Sequence, residues 1–152
     1  MKNLNTYILE KYNTDSIEEY LESIVNSTKS KPKIYDDTES WEADGDFDYW
    51  QSTMGEYDDT IEFIDKYAKD RCVAGWCTEE SFEETEKMIP KLMKDIMKKN
   101  KPEIPYKKNY NQFEVWKTKK DNFDINVLKF KAYKNRSGED YVEFWYMIAI
   151  EN

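Results

Sequence analysis

Tyr141-Val142-Glu143-Phe144-Trp145-Tyr146-Met147-Ile148-Ala149-Ile150 is the stretch that decides the fold. Beyond Pro105 the apolar residues recur with a period of two, and this last run is apolar on both faces of that alternation. It is therefore expected to be the best-covered strand. Working back from it, Ile125 to Tyr133 and Phe113 to Lys117 read as two further strands. Lys134-Asn135-Arg136-Ser137-Gly138-Glu139 and Lys119-Lys120-Asp121-Asn122 separate them as turns. Short connections imply an antiparallel meander. In the middle strand Leu128, Phe130 and Ala132 alternate with Lys129 and Lys131, so the lysine face is expected to be wet.

Upstream the period is helical. Ile17, Tyr20, Leu21, Ile24 and Val25 form one apolar stripe over residues 15–26, and Asp15 with Glu18 resembles a capping box. A shorter helix from about Leu4 to Lys11 precedes it, and Ser27 to Pro32 breaks the pattern. Residues 57–71 return to helical spacing, with Tyr57, Ile61, Ile64 and Tyr67 or Ala68 facing inward. Thr78 is read as the N-cap of a further helix that buries Phe82, Ile89, Leu92, Met93 and Ile96. Pro90 is expected to kink or divide that helix, and Lys94, Lys98 and Lys99 suit its C-terminal dipole. The expected fold class is α+β, with N-terminal and central helices packed on a C-terminal three-stranded antiparallel meander. A single domain is expected over residues 1–152, with an acidic helical part over about 1–100 and the sheet over about 110–150.

Between the first helix and the helix at residue 57, Trp41, Phe47, Tyr49, Trp50 and Met54 need packing partners. Asp44, Asp46 and Asp48 alternate with Gly45, Phe47 and Tyr49; in an extended chain the aspartates share one face. As a calcium loop this run fails, because its sixth and twelfth positions are Tyr49 and Gly55 where an EF-hand needs Gly and Glu.

The charge is segregated. Residues 36–86 hold eighteen acidic side chains against Lys66, Lys69 and Arg71, a net of −15. Residues 1–35 balance at five of each sign, and residues 87–152 net +6, so the overall −9 hides a dipolar molecule. A field of this kind attracts basic partners and repels nucleic acid. Aromatic residues make up 16% of the chain, too many for a disordered acidic tail, so the acids are read as a folded surface.

The sequence contains no histidine, which removes Ser-His and Cys-His nucleophile pairs and every histidine metal site. It carries no GxSxG, GxxxxGK[ST] or GxGxxG motif. The protein is expected not to be an enzyme, and to use no cofactor and no metal. Cys72 and Cys77 are spaced C-x4-C, wrong for a redox pair and too few for zinc, and read as buried or half-buried thiols. A disulfide between them stays open at this level. No run near the start has the length of a signal peptide and no stretch approaches a membrane span, so a cytoplasmic location is expected.

Carboxylates four apart on a helix are separated by about 6 Å of rise, and two apart on a strand by roughly 6.6 Å. Those spacings are of the order of the distance between successive phosphates of a nucleic acid. Asp58, Glu62 and Asp65 meet the helical spacing, as do Glu79 with Glu83 and Glu80 with Glu84, while Asp44, Asp46 and Asp48 meet the extended one. Acids early in a helix also serve its dipole, which accounts for part of the charge at Glu79 and Glu80.

In acidity and size the chain resembles, in class only, small acidic inhibitors encoded by phages and mobile elements. These include anti-restriction and anti-CRISPR proteins, several of which mimic nucleic acid. The resemblance rests on no shared motif, and no residue role is carried over from it. It implies a stoichiometric inhibitor whose acidic surface blocks the basic nucleic-acid groove of a host defence nuclease. Its contacts would be Asp44, Asp46, Asp48, Asp58, Asp59, Glu62, Asp65, Glu79, Glu80, Glu83 and Glu84, anchored by Trp41, Tyr49, Trp50 and Tyr57. The expected partner is a basic, nucleic-acid-binding protein. An immunity protein or antitoxin against a basic toxin obeys the same physics. A carboxylate enzyme or ion-binding protein is a third reading. A single-strand nucleic-acid binder using Lys117, Lys119, Lys120, Lys129, Lys131, Lys134 and Arg136 beside Trp116, Phe130 and Tyr133 is a fourth.

Overall fold

A computed structural model of the chain describes residues 17–36, 57–78, 82–108, 111–136 and 139–152. In chain order the elements are α1 (Ile17–Val25), β1 (Ile34–Tyr35), α2 (Tyr57–Ala68), β2 (Cys72–Thr78), α3 (Phe82–Met88), α4 (Lys91–Lys99), β3 (Ile104–Lys108), β4 (Asn111–Lys120), β5 (Phe123–Arg136) and β6 (Glu139–Glu151). The fold is α+β: helices pack against an antiparallel sheet whose C-terminal strands β4, β5 and β6 form the expected meander.

The sheet is larger than the meander. Its order is β1-β2-β6-β5-β4-β3, six strands, every neighbouring pair antiparallel. β6 lies at the centre, paired along one side with β2 (Cys72↔Ile150 to Thr78↔Phe144) and along the other with β5 (Asp124↔Glu151 to Arg136↔Glu139). That position explains why Tyr146, Met147, Ile148, Ala149 and Ile150 are all buried. The edges are short: β1 has two residues and β3 has five. Pro105 is tolerated in β3 because an edge strand leaves one side of its backbone outside the ladder.

The sheet carries helices on both faces. On one, Phe63, Ile64, Tyr67 and Ala68 of α2 pack on Val73, Phe113, Val115, Leu128, Phe130, Met147 and Ala149. Phe63 is central there, with its ring centroid 4.6 Å from Phe113 and 5.5 Å from Phe130. Phe113 and Phe130, directly paired across β4 and β5, meet edge to face at 4.7 Å. On the other face Leu21, Ile24 and Val25 of α1, with Ile89 and with Met93 and Ile96 of α4, cover Cys72, Ala74, Trp76, Trp116, Ile125, Val127, Tyr146, Ile148 and Ile150. Tyr20 stacks on Phe123 at 4.5 Å, closing this layer near the β4–β5 hairpin.

Several expectations shift. The lysine face of β5 is not wet as a whole: Ile125 and Val127 share it with Lys129 and are fully buried under the helices. Thr78 ends β2, paired with Phe144, and the next helix is described from Phe82. Pro90 divides the helix in two, standing as the N-cap of α4 with extended backbone (φ −65, ψ 154). The helix expected to run to residue 71 stops at Ala68; Asp70 takes φ 60, the left-handed conformation that ends helices. Cys72 is a buried free thiol. Positions 72 and 77 stand five residues apart along one strand, a Cα separation of roughly 16 Å, beyond the reach of a mutual disulfide.

Arg71 fastens the start of β2 to the end of the meander. Its Nη1 donates to the Asp124 carbonyl at 3.3 Å, and its Nη2 lies 3.0 Å from the Glu151 carboxylate. Asp124 and Glu151 are themselves register partners, so one guanidinium clamps both members of a pair.

Candidate functional site

The acidic residues are best described on α2. Its buried residues Phe63, Ile64, Tyr67 and Ala68 define the inner face, and positions 58, 62 and 65 fall on the opposite side of the helix. Glu62 is exposed there, and Asp65 is half-buried. Tyr57, Asp58 and Asp59 stand in the first turn of the same helix. On α3, Glu83 and Glu84 are exposed in the first turn, and Glu84 pairs with Lys87 at 3.3 Å. Trp41, Asp44, Asp46, Asp48, Tyr49, Trp50, Glu79 and Glu80 lie outside the described residues. The described candidate residues thus fall on two helices on opposite faces of the sheet, α2 on one and α3 on the other.

A carboxylate pair not anticipated from sequence joins α1 to the end of β1. The Glu18 carboxyl hydrogen-bonds to Asp36, and that bond, reinforced by the charge of Asp36, holds Glu18 above the ordinary carboxylate value. Glu18 is also the residue read as part of a capping box with Asp15, which lies outside the described residues. Burial, with the Glu18 and Asp36 charges adding, pushes the Cys72 thiol up to about 12. A thiol held so strongly protonated is a poor nucleophile. Among the described residues no group of three or more Cys, Asp or Glu could hold a metal ion.

The basic residues make a different kind of site. Two of the C-terminal lysines pair within the sheet itself, Lys119 with Asp124 at 3.6 Å and Lys129 with Glu114 at 3.8 Å. Lys117 lies over the Tyr67 ring, 5.4 Å from its centroid, bringing β4 against the end of α2. Lys117 and Lys119 share one face of the sheet, while Lys129 and Lys131 share the other, so the basic strands do not present one continuous surface.

On the α4 face, however, lysines converge on a concavity. A cleft of about 590 Å3 opens between the end of α3, α4 and the sheet, lined by Glu86, Lys91, Lys94, Asp95, Met97, Lys98, Trp116, Lys129 and Tyr146. Its volume falls within the roughly 300–1,000 Å3 common to small-molecule sites. Lys91, Lys94 and Lys98 recur at helical spacing along one flank of α4, and Lys129 rises from β5 opposite them. The floor is rigid: Trp116 is 5% exposed and Tyr146 1%. The Trp116 Nε1–H is buried with no acceptor within hydrogen-bonding distance among the described residues. An indole nitrogen only donates, and leaving it unpaired costs about 1–3 kcal/mol. Burial, then the charges of Glu86 and Glu114, raise the Tyr146 hydroxyl well above its usual range and keep it protonated. A second, smaller cleft of about 220 Å3 lies on the other flank of α4, lined by Leu92, Asp95, Ile96, Lys99, Asn100, Thr118, Lys119 and Lys120.

Sequence reasoning placed Lys94 and Lys98 only as partners of a helix dipole, and Lys129 as the mark of a wet face and as one of the basic residues of a single-strand binder. The signal that joins them is the spacing of Lys91, Lys94 and Lys98 with Trp116 and Tyr146 on the facing strands. Reading it requires knowing that α4 crosses β4 and β5.

Compared with known proteins, the chain matches no family model, no curated protein and no solved structure.

Proposed function

We propose that this protein is a stoichiometric inhibitor that lays an acidic surface into the basic nucleic-acid groove of a host defence nuclease, in the manner of anti-CRISPR and anti-restriction proteins. The observation that carries this reading is the division of α2. One side of the helix is wholly committed to the core through Phe63, Ile64, Tyr67 and Ala68, while the opposite side carries positions 58, 62 and 65, all acidic, with Glu62 exposed. A helix seated on a six-stranded sheet holds its outer carboxylates at fixed spacing, as a surrogate for a phosphate row requires. The net −15 of residues 36–86 supports the same reading, because so much like charge costs self-repulsion that binding to a cationic surface relieves. The partner is a basic protein, met in the cytoplasm, and the inhibitor itself performs no chemistry.

The test is competition. A nuclease captured by this protein should release duplex DNA as one equivalent of inhibitor is added. Glu62→Lys, at an exposed position on the outer side of α2, should slow association several-fold while leaving the fold intact. Raising salt from about 50 to about 500 mM should do the same. Affinity that survives both the charge reversal and the salt would sink the electrostatic reading.

A further inference from the structure

We propose that the lysine-lined cleft between α3, α4 and the sheet is a binding site for a small organic phosphate. Three observations converge on it. The cleft gathers cations from two separate elements: Lys91, Lys94 and Lys98 from α4, and Lys129 from β5. Its floor is formed by Trp116, whose buried indole N–H has no acceptor among the described residues, and by the buried Tyr146. Its remaining polar lining is two carboxylates, Glu86 and Asp95. Lysine ammonium groups and an indole N–H only donate, so the body of the site asks for an acceptor-rich anion. Glu86 and Asp95 accept, so the same ligand should also carry hydroxyl donors. A phosphate attached to a sugar or another polyol meets both demands, whereas a bare inorganic anion meets only the first.

The surrounding charge selects against the larger source of the same chemistry. Lys129 is already shared with Glu114, which leaves the cleft only modestly positive, and the chain as a whole is at −9. A nucleic acid would bring many phosphates into that field, while a small ligand brings one or two and feels chiefly the four local lysines. The cleft is also a concavity walled by a helix, and of the sheet's described lysines Lys129 alone lines it. This site is independent of the acidic surface of α2, on the other side of the sheet.

The experiment is an NMR titration of the full chain with AMP, inorganic phosphate and a twelve-nucleotide single-stranded DNA, at a constant salt of about 150 mM. The Trp116 indole N–H is followed among the five tryptophan resonances, assigned through its contacts to Val127, its partner across β4 and β5. AMP should shift that resonance with a Kd on the order of 1 mM or tighter, and phosphate alone should bind about tenfold more weakly. Lys94→Gln with Lys98→Gln, away from the buried floor, should weaken AMP by about tenfold or more with the rest of the spectrum unchanged. An indole resonance that does not move at about 10 mM AMP overturns the proposal, as does a shift indifferent to the lysine substitutions. DNA that binds more than about tenfold tighter than AMP overturns it in favour of a nucleic-acid site.

Discussion

Asn126, 4% exposed near the start of β5, donates from Nδ2 to the backbone carbonyl of Tyr67 at 2.6 Å. The carbonyls of a helix's last turn have no partner within the helix, so a strand side chain supplies one here. The bond fixes where α2 ends on the sheet, and with it the orientation of the acidic side of that helix. Asn126→Leu removes the donor and leaves the Tyr67 carbonyl buried and unpaired. It should cost about 1–3 kcal/mol in urea denaturation and speed amide exchange in α2 ahead of β5. An unchanged midpoint would mean that the carbonyl is satisfied in some other way.

The Glu18–Asp36 contact makes a signed prediction. Glu18 binds its proton more tightly in the folded protein than in the unfolded chain. Its contribution is therefore fully present below the ordinary carboxylate value and is lost as pH rises through the raised folded value. Glu18→Gln should flatten that part of the stability curve, giving a protein less penalised at pH 7 than the parent. Because Glu18 is exposed, the difference should shrink when Tm is measured at high salt.

At the alkaline end the same logic applies to buried neutral groups. Burial pushes Cys72 up to about 12, and Tyr146 and Tyr20 are also raised, chiefly by burial. The unfolded chain releases these protons first, so stability should fall as pH rises above the ordinary thiol value of 9.0 toward the folded value of about 12. In a Cys77→Ser background, iodoacetamide at pH 8 should label Cys72 only at the rate of global unfolding, read by mass spectrometry against denaturant. Rapid labelling of the native protein would show an accessible thiolate.

Asp121 holds φ 56 in the two-residue turn between β4 and β5, where Lys120 pairs with Phe123. A non-glycine residue pays for the left-handed region in steric strain, and glycine does not. Asp121→Gly should raise stability by up to about 1 kcal/mol, and Asp70→Gly, at φ 60 just beyond α2, should act alike. Thermal melts of the two single variants and the double would test this, with near-additive gains expected at separated sites.

Phe63→Ala should be the costliest of these changes, by about 3–5 kcal/mol, since it empties the space among Tyr67, Phe113 and Phe130. Near-ultraviolet circular dichroism should register the lost aromatic packing even where the chain still folds.

Much of the meander is legible because alternation in β4, β5 and β6 coincides with burial: Val115, Leu128 and Met147 on one face, Trp116, Val127 and Ile148 on the other. The stripe Leu21, Ile24 and Val25 of α1 is legible for the same reason. β2 is harder. Cys72-Val73-Ala74-Gly75-Trp76-Cys77-Thr78 contains small residues of weak strand preference, and only its place between β1 and β6 makes it a strand. β3 hides behind Pro105, which is compatible with a strand only at an edge. Phe63 escapes notice because the apolar residues around it fit a stripe without it; its burial depends on Phe113 and Phe130, far along the chain. The cleft beside α4 could not be read at all from local spacing. Lysines on a helix look like solvent-facing charge until the sheet beneath them is known.

The placement of β2 has a consequence for the order in which the chain can fold as it is made. Residues 72–78 find their long hydrogen-bonded partner only in residues 144–150, while β4 and β5 close on each other across a tight turn. Loop closure makes the distant pairing the slower one. The meander can therefore assemble around its own hairpins, but β2, and with it the seating of α2, waits for β6 to emerge from the ribosome. Until then α2 has no completed sheet to stand on. A nascent or C-terminally clipped chain would carry the same negative charge without the sheet that seats α2, so timing as much as composition decides when that charge acquires a fixed geometry.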